Sequence, residues 1–196
     1  MQLVNVIQGT SEWKAFRRSH ICASDAIVIL GRSPWKSLQD LYEEKILGFE
    51  QEENPYMSRG KALESLALEN FEKETGLEMF PLVFKDDRFA WMAVSYDGIT
   101  LDKKAIVEIK CPGRKDHDYA VSKKIIPSKY EPQIQHQMYV ADLDFAYYYS
   151  FDGQEGVIIE VKRDQALIDF LLEKEQAFWH CLQDFSYSFA MLSKGI

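Results

Sequence analysis

A chain of 196 residues that is 46% hydrophobic has the size and apolar content of one globular domain, taken here as residues 1–196. No run of ~18 apolar residues could span a bilayer. The opening MQLVNVIQGTSEWK lacks the basic head and apolar stretch of a secretory signal, so no membrane role and a cytoplasmic location are expected. The formal net charge of −8 argues against a broad basic surface, but phosphate contacts are local and an acidic exterior around a basic channel is compatible with it.

In chain order, periodicity and breaker residues predict helices over 11–19, 24–31, 37–47 and 58–75. Ser37 with Asp40 reads as a capping pair, and Gly76 as a stop. The polar stretch 48–57 reads as a loop. Strands are predicted over 78–85, 90–95, 98–101 and 104–110, with Asp97-Gly98 as a turn signal. A helix over 129–141, strands over 144–151 and 156–162, and a helix over 164–190 complete the chain. This order describes an α/β fold, a central mixed β-sheet flanked by α-helices.

Cys22, Cys111 and Cys181 are scattered and odd in number, which argues against a disulfide framework or a structural zinc. All three read as small buried hydrophobes. His20, His117, His136 and His180 have no metal-ligand spacing among themselves. The aromatic run 145–151 reads as a sheet strand. The apolar stripe of the last helix reads as core or a subunit contact.

The chemistry is concentrated in Ala105-Ile-Val-Glu-Ile-Lys-Cys-Pro112. On a strand, Val107 and Ile109 face one way, while Glu108 and Lys110 face the other, about 7 Å apart. Asp97 stands eleven residues earlier, and a hairpin would return it toward Glu108. Two convergent carboxylates suit a hard divalent cation such as Mg2+, which prefers oxygen ligands and retained waters. A neighbouring lysine can orient or deprotonate an attacking water and offset phosphate charge. The competing reading is a simple Asp-Gly turn beside an exposed ion pair.

Helix 58–75 favours the metal site. At about 100° per residue, Leu63, Ala67, Leu68 and Phe71 form one apolar arc, and Glu64 falls inside it. A carboxylate in such a position requires a cation, either a metal or a buried Arg or Lys. Two segments suit phosphate. An arginine, Arg17 or Arg18, precedes Ser24 at a predicted helix start, where free N–H groups favour anions; Ser24 as a plain N-cap and Arg17 or Arg18 as a solvated charge are the alternative. Gln133 and Gln137 share one helical face, either to hold a water or phosphate oxygen or as an ordinary polar face.

With these residues in place, the chain resembles the lambda exonuclease / YqaJ-like viral recombinase nucleases of the PD-(D/E)XK superfamily. Five segments carry the likeness in the same order: GTSEWKAFRRSHICASD, RGKALESLALENFEKETG, SYDG, EIKCP and YEPQIQHQMYV. They run from Gly9 to about Ala141, some two-thirds of the chain.

The resemblance implies metal ligation by Asp97, Glu108 and the backbone carbonyl of Ile109, with Lys110 as the catalytic lysine. It implies that Glu64 reaches the metal site and that Gln133 lies near the attacking water. Arg17, Ser24 and Ser95 fall where the family binds a terminal 5′-phosphate, with Tyr130 an aromatic beside it. Two Mg2+ ions are implied, with Mn2+ able to substitute. A homotrimeric ring around double-stranded DNA ends and a single-strand annealing protein as partner are also implied. Tyr96 stands where the superfamily name implies proline, and Cys22 where relatives often carry threonine.

The expectation is a Mg2+-dependent 5′→3′ exonuclease that digests linear duplex DNA to mononucleotides and leaves a 3′ overhang, in phage-type recombination. The alternatives are a PD-(D/E)XK endonuclease of restriction or repair type and a non-catalytic DNA-binding module.

Overall fold

The computed structural model of the chain describes residues 1–48 and 55–184. The first half alternates short strands and helices: β1 (Gln2–Val4), α1 (Ser11–Arg18), β2 (Ile21–Cys22), a 3-10 turn (Ala23–Asp25), α2 (Ala26–Ile29), α3 (Leu38–Leu47) and α4 (Pro55–Thr75). Then follow β3 (Val83–Lys85), β4 (Met92–Ser95), β5 (Gly98–Ile99), β6 (Ile106–Lys110), α5 (Arg114–Lys123), a second 3-10 turn (Ser128–Tyr130), α6 (Glu131–Ala141), β7 (Phe145–Phe151), β8 (Gly156–Lys162) and α7 (Gln165–Gln183). Most of the loop expected over 48–57 lies outside the described residues, as does the end of the helix expected over 164–190; Pro55 onward already belongs to α4.

Local signals explain several boundaries. Ser37 and Asp40 form the reciprocal cap of α3, satisfying amides that a helix start leaves open. Gly76 follows α4 at φ +72, a left-handed conformation that glycine adopts without strain. The helix expected over 24–31 is instead a 3-10 turn followed by the four-residue α2. Asp25 closes that turn by accepting the Cys22 N–H at 2.9 Å, so Ser24 is not the cap residue.

The strands form two four-stranded mixed sheets, ordered β1-β3-β4-β2 and β5-β6-β7-β8, where the sequence suggested one. Asp97-Gly98 is the passage between them rather than a hairpin turn. The hairpin is β5–β6, with Gly98 opposite Val107 and Ile99 opposite Ile106. Gly98 is demanded by packing: a Cβ there would lie 2.8 Å from Val107 Cγ1 and 2.9 Å from Met79 Cβ.

β6 pairs in parallel with β7, a connection that needs a crossover, here supplied by α5 and α6. Both faces of β6 are covered. Val107 and Ile109 pack with Ala67 and Phe71 of α4, whereas Ile106 packs with Ile134 and Met138 of α6. Glu108 therefore faces a helix and is buried, not set on an open polar face. The sequence reading missed β1, β2 and α5. Of the cysteines, only Cys22 is buried; Cys111 and Cys181 are partly exposed, and none of the three is in a disulfide. No helix among the described residues is long and apolar enough to cross a membrane.

Candidate active site

The β5–β6 pairing places Asp97 beside Glu108, and the Asp97 carboxylate accepts the Ile109 N–H at 2.7 Å. Glu108 is held from three sides. Lys110 forms an ion pair with its Oε1, Gln133 Nε2 donates to the same oxygen at 2.6 Å, and Gln137 Nε2 donates to Oε2. Asp97, Glu108, Lys110, Gln133 and Glu64 of α4 all line one cavity of about 460 Å3.

Electrostatics in this cavity is dominated by crowded carboxylates. Burial pushes Asp97 well above the usual aspartate range, and the Glu108 charge pushes the same way. Burial also raises Glu64, with Glu108 adding to it against the opposing Lys110 and Lys61. Lys110 feels burial as a downward pull, but Glu108 and Asp97 outweigh it and hold the amine above the ordinary lysine range. Among the described residues no three His, Cys, Asp or Glu side chains form a closed metal cage. The donor set is two adjacent carboxylates with a third on the same cavity, which fits an ion that keeps several waters.

Arg17, Ser24 and Ser95 line the other part of the same cavity. Arg17 Nη2 donates to Ser24 Oγ at 2.7 Å, and the guanidinium lies 4.5 Å from the centre of the Trp13 ring. The Trp13 indole N–H donates to Ser95 Oγ at 2.8 Å. Three residues from three segments are therefore joined through Trp13. A guanidinium and two hydroxyls facing one space suit a phosphate group. Tyr130 does not line this cavity. It lies on the Lys110 side, its ring 5.5 Å from Lys110 Nζ and stacked on Tyr148.

Two residues carry more than the sequence reading gave them. Gln137 shares a face with Gln133, but the spacing did not show that its amide meets Glu108. Trp13 stands one helical turn before Arg17, a pair spacing that brings side chains together. His136 is likewise buried in a link between α6, α7 and β4, bonded to Glu175 at 2.8 Å and to the Ala93 carbonyl at 3.0 Å.

Mixed sheets flanked by helices, with Asp97, Glu108 and Lys110 where the sheets meet, define a nuclease fold of the PD-(D/E)XK type. The chain belongs to the YqaJ-like viral recombinase domain family, which it matches over residues 12–144. It is 28% identical over 178 residues to the protein YqaJ of Bacillus subtilis (strain 168), covering 86% of this chain and 55% of that protein's length. It therefore spans about half of that relative.

Among solved structures it resembles an alkaline exonuclease (LHK-Exo) from Laribacter hongkongensis, with TM-score 0.78 and 27% identity over 94% of this chain and 99% of that one. A phage related exonuclease from Haemophilus somnus 129PT shares the fold at TM-score 0.64 and 17% identity, over 93% and 99% of the two chains.

Proposed function

We propose that this chain is a Mg2+-dependent 5′→3′ exonuclease that degrades linear double-stranded DNA to mononucleotides and leaves a 3′ overhang, acting in phage-type DNA recombination. One observation carries the reading: the Asp97–Glu108–Lys110 group and the Arg17–Ser24–Ser95 group open into the same cavity. The family match and the likeness to an alkaline exonuclease support it.

Asp97, Glu108 and the Ile109 carbonyl would hold the metal, with Glu64 on the same cavity. Two Mg2+ ions are assigned, with Mn2+ able to substitute. When bound, the metal supplies activation of water and offsets charge on the phosphate being cleaved. Lys110 stabilises developing negative charge and orients the water, and Gln133 positions that water from α6. Arg17, Ser24 and Ser95 grip the terminal 5′-phosphate and so set the distance to the scissile bond. Tyr130 flanks the Lys110 side.

The acidic net charge is unevenly spread. Between Lys103 and Lys129 the chain carries eight Lys and Arg residues against three Asp and Glu. This segment contains β6, and its surplus of cations suits contact with DNA phosphates. A homotrimeric ring closed around the duplex, a single-strand annealing protein as partner, and action in the cytoplasm of a bacterial host complete the proposal.

The test is incubation with Mg2+ and an end-labelled linear duplex bearing a 5′-phosphate, beside a 5′-hydroxyl duplex, a closed circle and an EDTA lane. Loss of the 5′-phosphorylated strand with the circle intact supports the proposal. Cutting of the circle would transfer the reading to an endonuclease of the same fold. Full activity of Lys110→Ala would overturn the mechanism.

A further inference from the structure

A buried ammonium lies behind the phosphate-gripping residues without touching the cavity. Lys45, on α3, has a side chain only 2% exposed, and its partner Asp25 is 5% exposed. Lys45 Nζ lies 2.6 Å from Asp25 Oδ2 and donates to the carbonyls of Arg17 and His20, both at 2.8 Å. Its three protons therefore meet three acceptors, the full capacity of an ammonium.

The two carbonyls lie at the end of α1 and just past it. The last carbonyls of a helix have no partner within it, and a cation there is favoured. Asp25 in turn accepts the Cys22 N–H, fixing the 3-10 turn on which Ser24 sits. The two anchored points are the backbone of Arg17 itself and the residue after Ser24.

From this geometry we propose that Lys45 is a positioning residue that sets the spacing of Arg17 and Ser24, and thereby gives the enzyme its preference for ends carrying a 5′-phosphate. The inference rests on the phosphate-pocket reading above. The ammonium clamps the backbone of one phosphate ligand against the turn carrying the other, so the Arg17–Ser24 contact at 2.7 Å is held ready before substrate arrives. Because Lys45 is enclosed, its charge does not meet the phosphate directly; its contribution passes through the two side chains it holds in register.

The experiment measures kcat and KM with Mg2+ on matched linear duplexes with 5′-phosphate and 5′-hydroxyl ends. Wild type, Lys45→Met, Lys45→Arg, the double variant Lys45→Met/Asp25→Asn and Arg17→Ala are compared. The double variant leaves no unpaired buried charge, so it keeps the test open if Lys45→Met fails to fold; circular dichroism and a thermal melt check each protein.

Lys45→Met and the double variant are expected to raise KM for the 5′-phosphate end about tenfold, the scale of one displaced charge-assisted contact. KM for the 5′-hydroxyl end and kcat stay near wild type, and Lys45→Arg recovers part of the preference. A folded Lys45 variant with undiminished preference would overturn the inference, and so would an equal fall of kcat on both ends. If Arg17→Ala also retains the preference, or wild type has none, the phosphate-pocket reading itself has failed. Loss of preference in Arg17→Ala but not in the Lys45 variants rejects the Lys45 role alone.

Discussion

Gln137, fully buried on α6, donates its amide to Oε2 of Glu108, while Gln133 and Lys110 hold Oε1. A carboxylate oxygen stripped of such a donor loses orientation as well as solvation. Gln137→Leu is therefore expected to weaken Mn2+ binding by roughly tenfold to a hundredfold, as the loss of outer-shell support typically does. Isothermal titration with Mn2+ on the folded variant checks this independently of turnover. Unchanged affinity would mean that Glu108 is oriented by Lys110 and Gln133 alone.

Asp97 bears the cost of crowding, since burial and the neighbouring Glu108 both raise its pKa. A carboxyl whose folded pKa is raised contributes stability that is complete below its unfolded value and is lost as pH rises through the folded one. At neutral pH in EDTA, Asp97→Asn removes that penalty and keeps an acceptor for the Ile109 N–H. Its melting temperature should exceed wild type by a few degrees, about 2–4 °C per kcal/mol for a chain of this size. The same variant should lack nuclease activity. A lower melting temperature would show that the Asp97 charge is compensated without metal.

Gly98 occupies a space with no room for a methyl group. Gly98→Ala would bring a Cβ within 3.0 Å of both Val107 and Met79, and overpacking of this kind costs about 1–3 kcal/mol. Because Gly98 follows Asp97, activity should fall along with the denaturant midpoint. A stable but inactive Gly98→Ala protein would indicate that the clash is relieved by shifting β5 away from β6.

Two aspartates are expected to make the fold acid-sensitive. Burial raises Asp25, but Lys45, Arg17 and the Cys22 N–H together bring it below the usual range. Asp86 is likewise raised by burial, then lowered further by Arg88 and backbone amides. Depressed folded values mean stability that is present above the ordinary aspartate pKa of about 3.9 and lost as pH falls through the folded values. Urea midpoints should change little from these groups between neutrality and about pH 5 and drop below about pH 4. Asp86→Asn should flatten part of that drop; an unaltered acid limb would assign it elsewhere.

Asp97, Glu108 and Lys110 were legible because strand alternation and a short return connection act over a few residues. Glu64 was legible because a charge within an apolar helical arc contradicts its surroundings. What escaped depends on contacts distant in sequence. Lys45 follows two glutamates on a polar helix and looks solvated, and only the packing of α3 against the end of α1 encloses it. α5 escaped because only His117 and Ala120 of its ten residues are buried, leaving almost no periodic signal. The division into two sheets was hidden because Asp97-Gly98 has the composition of a tight turn, whereas its glycine serves close packing.

The hydrogen bond from the Ile109 amide to Asp97 gives the molecule an internal gauge. Asp97 belongs to the passage out of one sheet and Ile109 to a strand of the other, so this single proton bridges the two halves of the fold. Its exchange with deuterium reports how often the halves part beside the Asp97–Glu108 pair. Slower exchange on adding a divalent ion would mean that the ion acts as a rivet, joining the sheets as well as serving the chemistry.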